Sequence, residues 1–112
     1  MSFIRIFTGV PETPTIRTEI EKDREISIGW SHGDDGSLKI HSVIIEYTLK
    51  NNSKWKSVLI VNPQVTRYAI KDLLPKTSYK FRVYVVNEIG KSNASTEICG
   101  TTTGTSLGMV TN

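Results

Sequence analysis

Apolar side chains recur at alternate positions along most of this chain. Ile26, Ile28 and Trp30 form one such set, Val43, Ile45 and Tyr47 a second, and Tyr79, Phe81, Val83 and Val85 a third. A period of two puts every second side chain on one face of a strand, so each set predicts a strand with one buried face. Strands are expected over 13–20, 25–30, 40–49, 55–61, 65–71, 78–86 and 94–103. Between them lie clusters of Gly, Asn, Asp, Ser and Pro, among them SHGDDGS at 31–37 and NNSK at 51–54. Neither helical spacing nor an internal repeat is found. Short strands in this regular rhythm predict an all-β fold with seven strands over 10–103, flanked by linker segments at 1–9 and 104–112.

Composition narrows this picture only a little. The 112 residues suit one domain. The net charge of +3 and pI of about 9.1 permit anionic partners. However, no run of five like charges occurs, so no basic tail and no nucleic-acid binding are predicted. Cys99 is the single cysteine, which excludes an internal disulfide; in a last strand it is expected to act as a small apolar side chain. No apolar run approaches the roughly 18–20 residues that cross a bilayer, so no direct membrane insertion is expected. The N-terminal stretch MSFIRIFTGVPETP is too short in its apolar part for a signal peptide, and the chain is expected to be a piece of a longer protein.

Candidate chemistry is sparse. His32 and His41 are the only histidines, and only His32 has carboxylates near it, Asp34 and Asp35. A metal site needs three or four ligands in fixed geometry, whereas Asp34-Asp35-Gly36 has the composition of a turn. Cys99 has no neighbouring base to activate it. No Gly-rich phosphate loop and no suggestive acid pair occur. No catalytic residue, metal or cofactor is predicted, and the chain is not expected to be an enzyme.

Several landmarks in order identify a family resemblance. They are V-P-E-T-P at 10–14, I-S-I-G-W ending at Trp30, V-I-I-E-Y ending at Tyr47, and L-L-P-K-T-S-Y-K-F-R-V-Y-V-V-N-E-I-G-K-S at 73–92. The combination Leu73, Pro75, Thr77 and Tyr79, then Phe81, Val83, Asn87, Gly90 and Ser92, resembles a fibronectin type III module. The resemblance implies a seven-stranded antiparallel immunoglobulin-like β-sandwich, with strands A, B and E in one sheet and C, C′, F and G in the other. It places Ile26, Ile28, Trp30, Val43, Ile45, Tyr47, Leu73, Tyr79, Phe81, Val83 and Val85 in the core. Leu73 would plug the bottom of that core. Tyr79 would be a tyrosine corner whose hydroxyl bonds back to backbone around 73–76. The chain departs from the family after Trp30, where Ser31, His32 and Gly33 stand instead of an early proline.

With the core assigned, the opposite parity faces outward. Lys80, Arg82, Tyr84 and Val86 would share an outer sheet face with Ile44, Glu46 and Thr48, and with Lys54, Trp55 or Lys56 beside them on C′. Tyr, Trp and Arg most often anchor protein interfaces, so Ile44, Lys56, Lys80, Arg82, Tyr84 and Val86 form the candidate protein-binding face. A solvated sheet whose lysine stems cover apolar area is the plainer alternative. A sulfated glycosaminoglycan could meet the same cations, but they are not tightly grouped. The sequons Asn51-Asn52-Ser53 and Asn93-Ala94-Ser95 offer N-glycosylation at Asn51 and Asn93. The expected function is a non-catalytic interaction and spacer module in the extracellular region of a receptor or adhesion protein, contacting protein partners and neighbouring domains. The alternatives are a cytoplasmic module of a sarcomeric or cytoskeletal array, and an accessory domain appended to an enzyme.

Overall fold

A computed structural model describes residues 9–36 and 38–104. They form seven strands: β1 (Thr15–Glu21), β2 (Ile26–Ser31), β3 (Ser42–Leu49), β4 (Lys56–Ile60), β5 (Arg67–Ile70), β6 (Ser78–Val86) and β7 (Ile98–Thr101). One antiparallel sheet runs β1-β2-β5 and the other β4-β3-β6-β7. This is the A-B-E and C′-C-F-G sandwich that the alternation and the resemblance imply. Apart from Gly9 and Gly104, the segments 1–9 and 104–112 lie outside the described residues. Those two glycines belong to the folded body: the Gly9 carbonyl accepts a bond from Asn87 at 2.8 Å, and Gly104 is buried.

The core lies where the period-two pattern puts it. Ile26, Ile28 and Trp30 of β2 and Val43 and Ile45 of β3 are buried, as are Tyr79, Phe81, Val83 and Val85 of β6; Leu73 joins them from the turn before β6. Tyr47 is half-buried at the margin and stacks on Phe81 with ring centroids 6.4 Å apart. Each large apolar side chain in this layer contributes ~1.5–3 kcal/mol by leaving water.

Only the last strand differs markedly from its expected span. Regular pairing starts at Ile98, because the stretch before it meets β6 through serines. Ser92 N–H donates to Val85 O at 2.8 Å while its hydroxyl accepts Val85 N–H at 3.1 Å. Ser95 repeats this with Val83, at 2.9 Å for both bonds. The hydroxyls occupy the places of ladder carbonyls, and the contacts recur at a spacing of three residues instead of two. That spacing is out of step with the two-residue period of β6, so no regular ladder runs through this stretch. Beyond it, the edges of β1 and β7 are stitched together by Thr18 Oγ1 to Cys99 O at 3.2 Å and by Thr101 N–H to Glu21 Oε2 at 2.7 Å. These side-chain bonds cover edge groups that would otherwise invite foreign strands.

The turn before β6 is fastened from within. Leu74 N–H donates to the hydroxyl of buried Tyr79 at 2.8 Å. Thr102 Oγ1 donates to Leu74 O at 2.6 Å and accepts Thr77 N–H at 2.9 Å. Asp72 and Lys76 hold positive φ of 61° and 51°, so the turn keeps two residues in a sparsely populated conformation. Tyr79→Phe removes the acceptor and leaves the Leu74 N–H without it, a loss of ~1–3 kcal/mol in urea unfolding. Unchanged stability would mean that the hydroxyl does not secure the turn.

Candidate protein-binding face

The outer face of the β4-β3-β6-β7 sheet is built from the residues between the core positions. Register sets its rows: Leu59, Ile44 and Tyr84 form one, Ser57, Glu46 and Arg82 the next, and Thr48 with Lys80 a third. The middle row is electrostatically closed. Arg82 Nε donates to Glu46 Oε1 at 2.7 Å, its Nη1 lies 3.8 Å from Glu97 Oε2, and Tyr84 OH donates to the same Glu46 oxygen at 3.1 Å. Partial burial first, then the charge and hydrogen bond of Glu46, raise the pKa of Tyr84 above the ordinary tyrosine value, while Arg82 pulls it down. Tyr84 therefore keeps its proton and remains a donor at neutral pH.

Aromatic rings and cations interleave across these rows. The Arg82 guanidinium carbon sits 3.9 Å from the centre of the Trp55 ring, and Lys80 Nζ lies 5.1 Å from that ring. Further along, Lys91 Nζ is 4.4 Å and Arg82 Cζ 5.8 Å from the Tyr84 ring. The order Lys80, Trp55, Arg82, Tyr84, Lys91 is a continuous ladder. Each such contact contributes ~0.5–1 kcal/mol at an exposed site and, more usefully, holds long side chains in one geometry. Beside the ladder, Leu59 is 62% exposed and Ile44 half-buried, which adds an apolar strip.

The structure places most of the candidate residues together, with one correction. Ile44, Lys80, Arg82, Tyr84 and Val86 are half-buried on this face. Lys56 is not among them: it pairs with Tyr47, so it shares the inner parity of that residue and lines a recess with Tyr47, Leu73 and Tyr79. Trp55, one position earlier, supplies the C′ contribution instead. Thr48 has the outer parity yet is buried, and Cys99 is corrected from a small apolar filler to an exposed thiol, because its partner Lys80 faces outward. Leu59, Lys91 and Glu97 go unrecognised in the sequence. Counting alternation onward from Trp55 would have found Leu59; nothing local marks Lys91 or Glu97.

The remaining sequence candidates settle into local roles. Asp34 Oδ1 accepts Gly36 N–H at 2.7 Å, the bond of a tight turn. His41 Nδ1 lies 3.0 Å from Ser42 Oγ and His32 Nδ1 3.2 Å from Gly33 O. Among the described residues no group of three or more His, Cys, Asp or Glu is placed to hold a metal ion. Asn51 and Asn93 are both exposed, on the β3–β4 turn and on the stretch before β7.

Comparison with known proteins agrees with this architecture. The chain is 39% identical over 95 residues to the cell adhesion molecule DSCAM of Gallus gallus, covering 82% of this chain and 5% of that one. It is 33% identical over 90 residues to the neural cell adhesion molecule L1-like protein of Mus musculus, covering 78% and 7%. It thus spans only a small part of the relatives it matches. A solved structure of titin domains superposes with a TM-score of 0.75 at 28% identity, covering 85% of this chain and 33% of that one. The family model described as fibronectin type III domain matches residues 9–101. With seven strands in two antiparallel sheets, the serine-bridged edge and Tyr79 closing its turn, this chain belongs to the fibronectin type III domain family.

Proposed function

We propose that this chain is a non-catalytic interaction and spacer module in the extracellular region of a cell-surface adhesion protein. Its outer β4-β3-β6-β7 face would meet a protein partner. The observation that carries this reading is the ladder of Lys80, Trp55, Arg82, Tyr84 and Lys91. Tyr, Trp and Arg dominate interface hot spots, and here they are ordered before any partner arrives, which lowers the entropy cost of binding. The adhesion-molecule relatives support the setting. A sulfated glycan fits less well, because Arg82 is already held by Glu46 and Glu97. A place in an intracellular array is the second reading, supported by the likeness to titin domains.

The anchoring of the first and last described segments supports the spacer role. The chain enters with the Gly9 carbonyl bonded to Asn87, and it leaves with Thr103 N–H bonded to Lys22 O at 2.9 Å. A panel of purified adhesion-protein ectodomains, screened by biolayer interferometry against the immobilised chain, tests the reading. Trp55→Ala and Leu59→Arg are each expected to weaken the interaction at least ~10-fold. Arg67→Ala, on the opposite sheet, leaves it unchanged. If the two face variants bind like the parent chain, or if only Arg67→Ala loses binding, the face assignment fails.

A further inference from the structure

We propose that the two N-glycosylation sequons are not equivalent. In the folded module Asn51 accepts an N-linked glycan, whereas Asn93 is masked and can be modified only before the stretch leading into β7 docks on β6. This rests on the extracellular reading above, since that is where such a glycan is found.

Recognition of a sequon requires both the asparagine amide and the hydroxyl two residues on. For Asn51 both are within reach. Asn51, Asn52 and Ser53 are all exposed on the turn between β3 and β4. The turn is held by Asn52 N–H to Leu49 O at 2.9 Å, and by Asn52 Oδ1 accepting Ser53 N–H at 2.7 Å and Lys54 N–H at 3.1 Å. These bonds are at the surface, so water replaces them when the turn opens and the segment straightens at low cost. Among the described residues no hydrogen bond engages the Ser53 hydroxyl.

The second sequon has an exposed asparagine but a captive hydroxyl. Ser95 is 4% exposed. Its hydroxyl accepts Val83 N–H at 2.9 Å and donates to Thr96 O at 3.1 Å, and its own N–H donates to Val83 O at 2.9 Å. Drawing Ser95 out strips both backbone bonds from Val83, a residue with no exposed surface. Ser92 holds Val85 in the same way. Offering the Asn93 sequon therefore means separating the serine-bridged stretch ahead of β7 from β6, which breaks buried bonds instead of surface ones.

The transfer itself forms a bond between Asn51 Nδ2 and the anomeric carbon of a polyprenyl-pyrophosphate-linked oligosaccharide. The anomeric C–O bond breaks, the lipid pyrophosphate leaves with the electron pair, and the amide releases one proton. No oxidant or reductant is needed. A glycan at Asn51 would border the Lys80 and Trp55 end of the binding face, because Thr48, opposite Lys80, is the next-to-last residue of β3 before that turn.

The test uses the folded, unmodified chain made in a bacterial cytosol. It is incubated with solubilised oligosaccharyltransferase and lipid-linked donor, alongside synthetic peptides covering 47–57 and 89–99. Site occupancy is read by peptide mass spectrometry. Folding is expected to slow Asn93 at least ~10-fold relative to its peptide and to leave Asn51 within ~3-fold of its own. Equal slowing at both sites, an unslowed Asn93, or a peptide that is no acceptor would overturn the proposal. The assay needs no cellular compartment, so its failure leaves the extracellular reading untouched. Conversely, success in vitro with a natural protein bare at Asn51 would count against that reading alone.

Discussion

Asn87→Asp is expected to destabilise the domain by ~3–5 kcal/mol, although it changes one atom type and almost no volume. Asn87 is 1% exposed at the end of β6. Its Nδ2 donates to Gly9 O and Asp35 O, both at 2.8 Å, and its Oδ1 accepts Ile89 N–H at 2.9 Å and Gly90 N–H at 3.2 Å. One side chain thus joins the N-terminal stretch, the β2–β3 loop and the β6–β7 loop, with its hydrogen-bonding capacity filled. The substitution keeps the acceptor bonds but turns a buried oxygen towards two carbonyl oxygens. In urea unfolding the midpoint should fall with an unchanged slope. Acid should recover part of the loss, because protonating the introduced carboxylate removes its charge and restores one donor. A loss under ~1 kcal/mol, or a loss that deepens on acidification, would show that these bonds do not hold the three segments together.

Gly36→Ala should cost ~2–4 kcal/mol through the backbone alone. Gly36 has φ of 78°, in the left-handed region that side chains rarely adopt. A Cβ there would also collide with the Gly9 carbonyl oxygen and lie 2.9 Å from that of Val10. Neither obstacle can rotate aside, so the N-terminal stretch would have to lift off the β2–β3 loop. Gly33→Ala is the matched control: its Cβ would meet only the end of the Glu12 side chain, which can swing away. The thermal midpoint should drop several-fold more for Gly36→Ala than for Gly33→Ala, and equal drops would refute the clash. Because Gly36 and Asn87 both act on Gly9, the double variant should lose less than the sum of the two singles.

These two positions show why some of the molecule escapes sequence reading. Asn87 looks like an ordinary strand terminator, and Gly36 like one glycine of a polar loop. Their weight comes from Gly9, which is 78 residues from Asn87 along the chain. The shortened β7 has a similar origin. Ile98 and Cys99 continue an apparently β-rich run, but Ser92 and Ser95 bond to β6 with their hydroxyls, and alternation carries no trace of that competition.

Strands and their buried faces were legible because both depend on local geometry. Each strand repeats every two residues, so Tyr79, Phe81, Val83 and Val85 declare their common side without reference to any other part of the chain. The relation between strands does not repeat locally. Whether Trp55 or Lys56 joins Arg82 depends on which of them pairs with the outer parity of β3, and a shift of one residue exchanges them. The β3–β4 turn sets that register, and it brought Lys56 opposite Tyr47 and Trp55 over Arg82. The same non-local pairing exposed Cys99, buried Ser95 and aligned the ladder. Short-range periodicity therefore yields the sandwich and its core, while the candidate binding face and the difference between the two sequons arise from pairing across long stretches of chain.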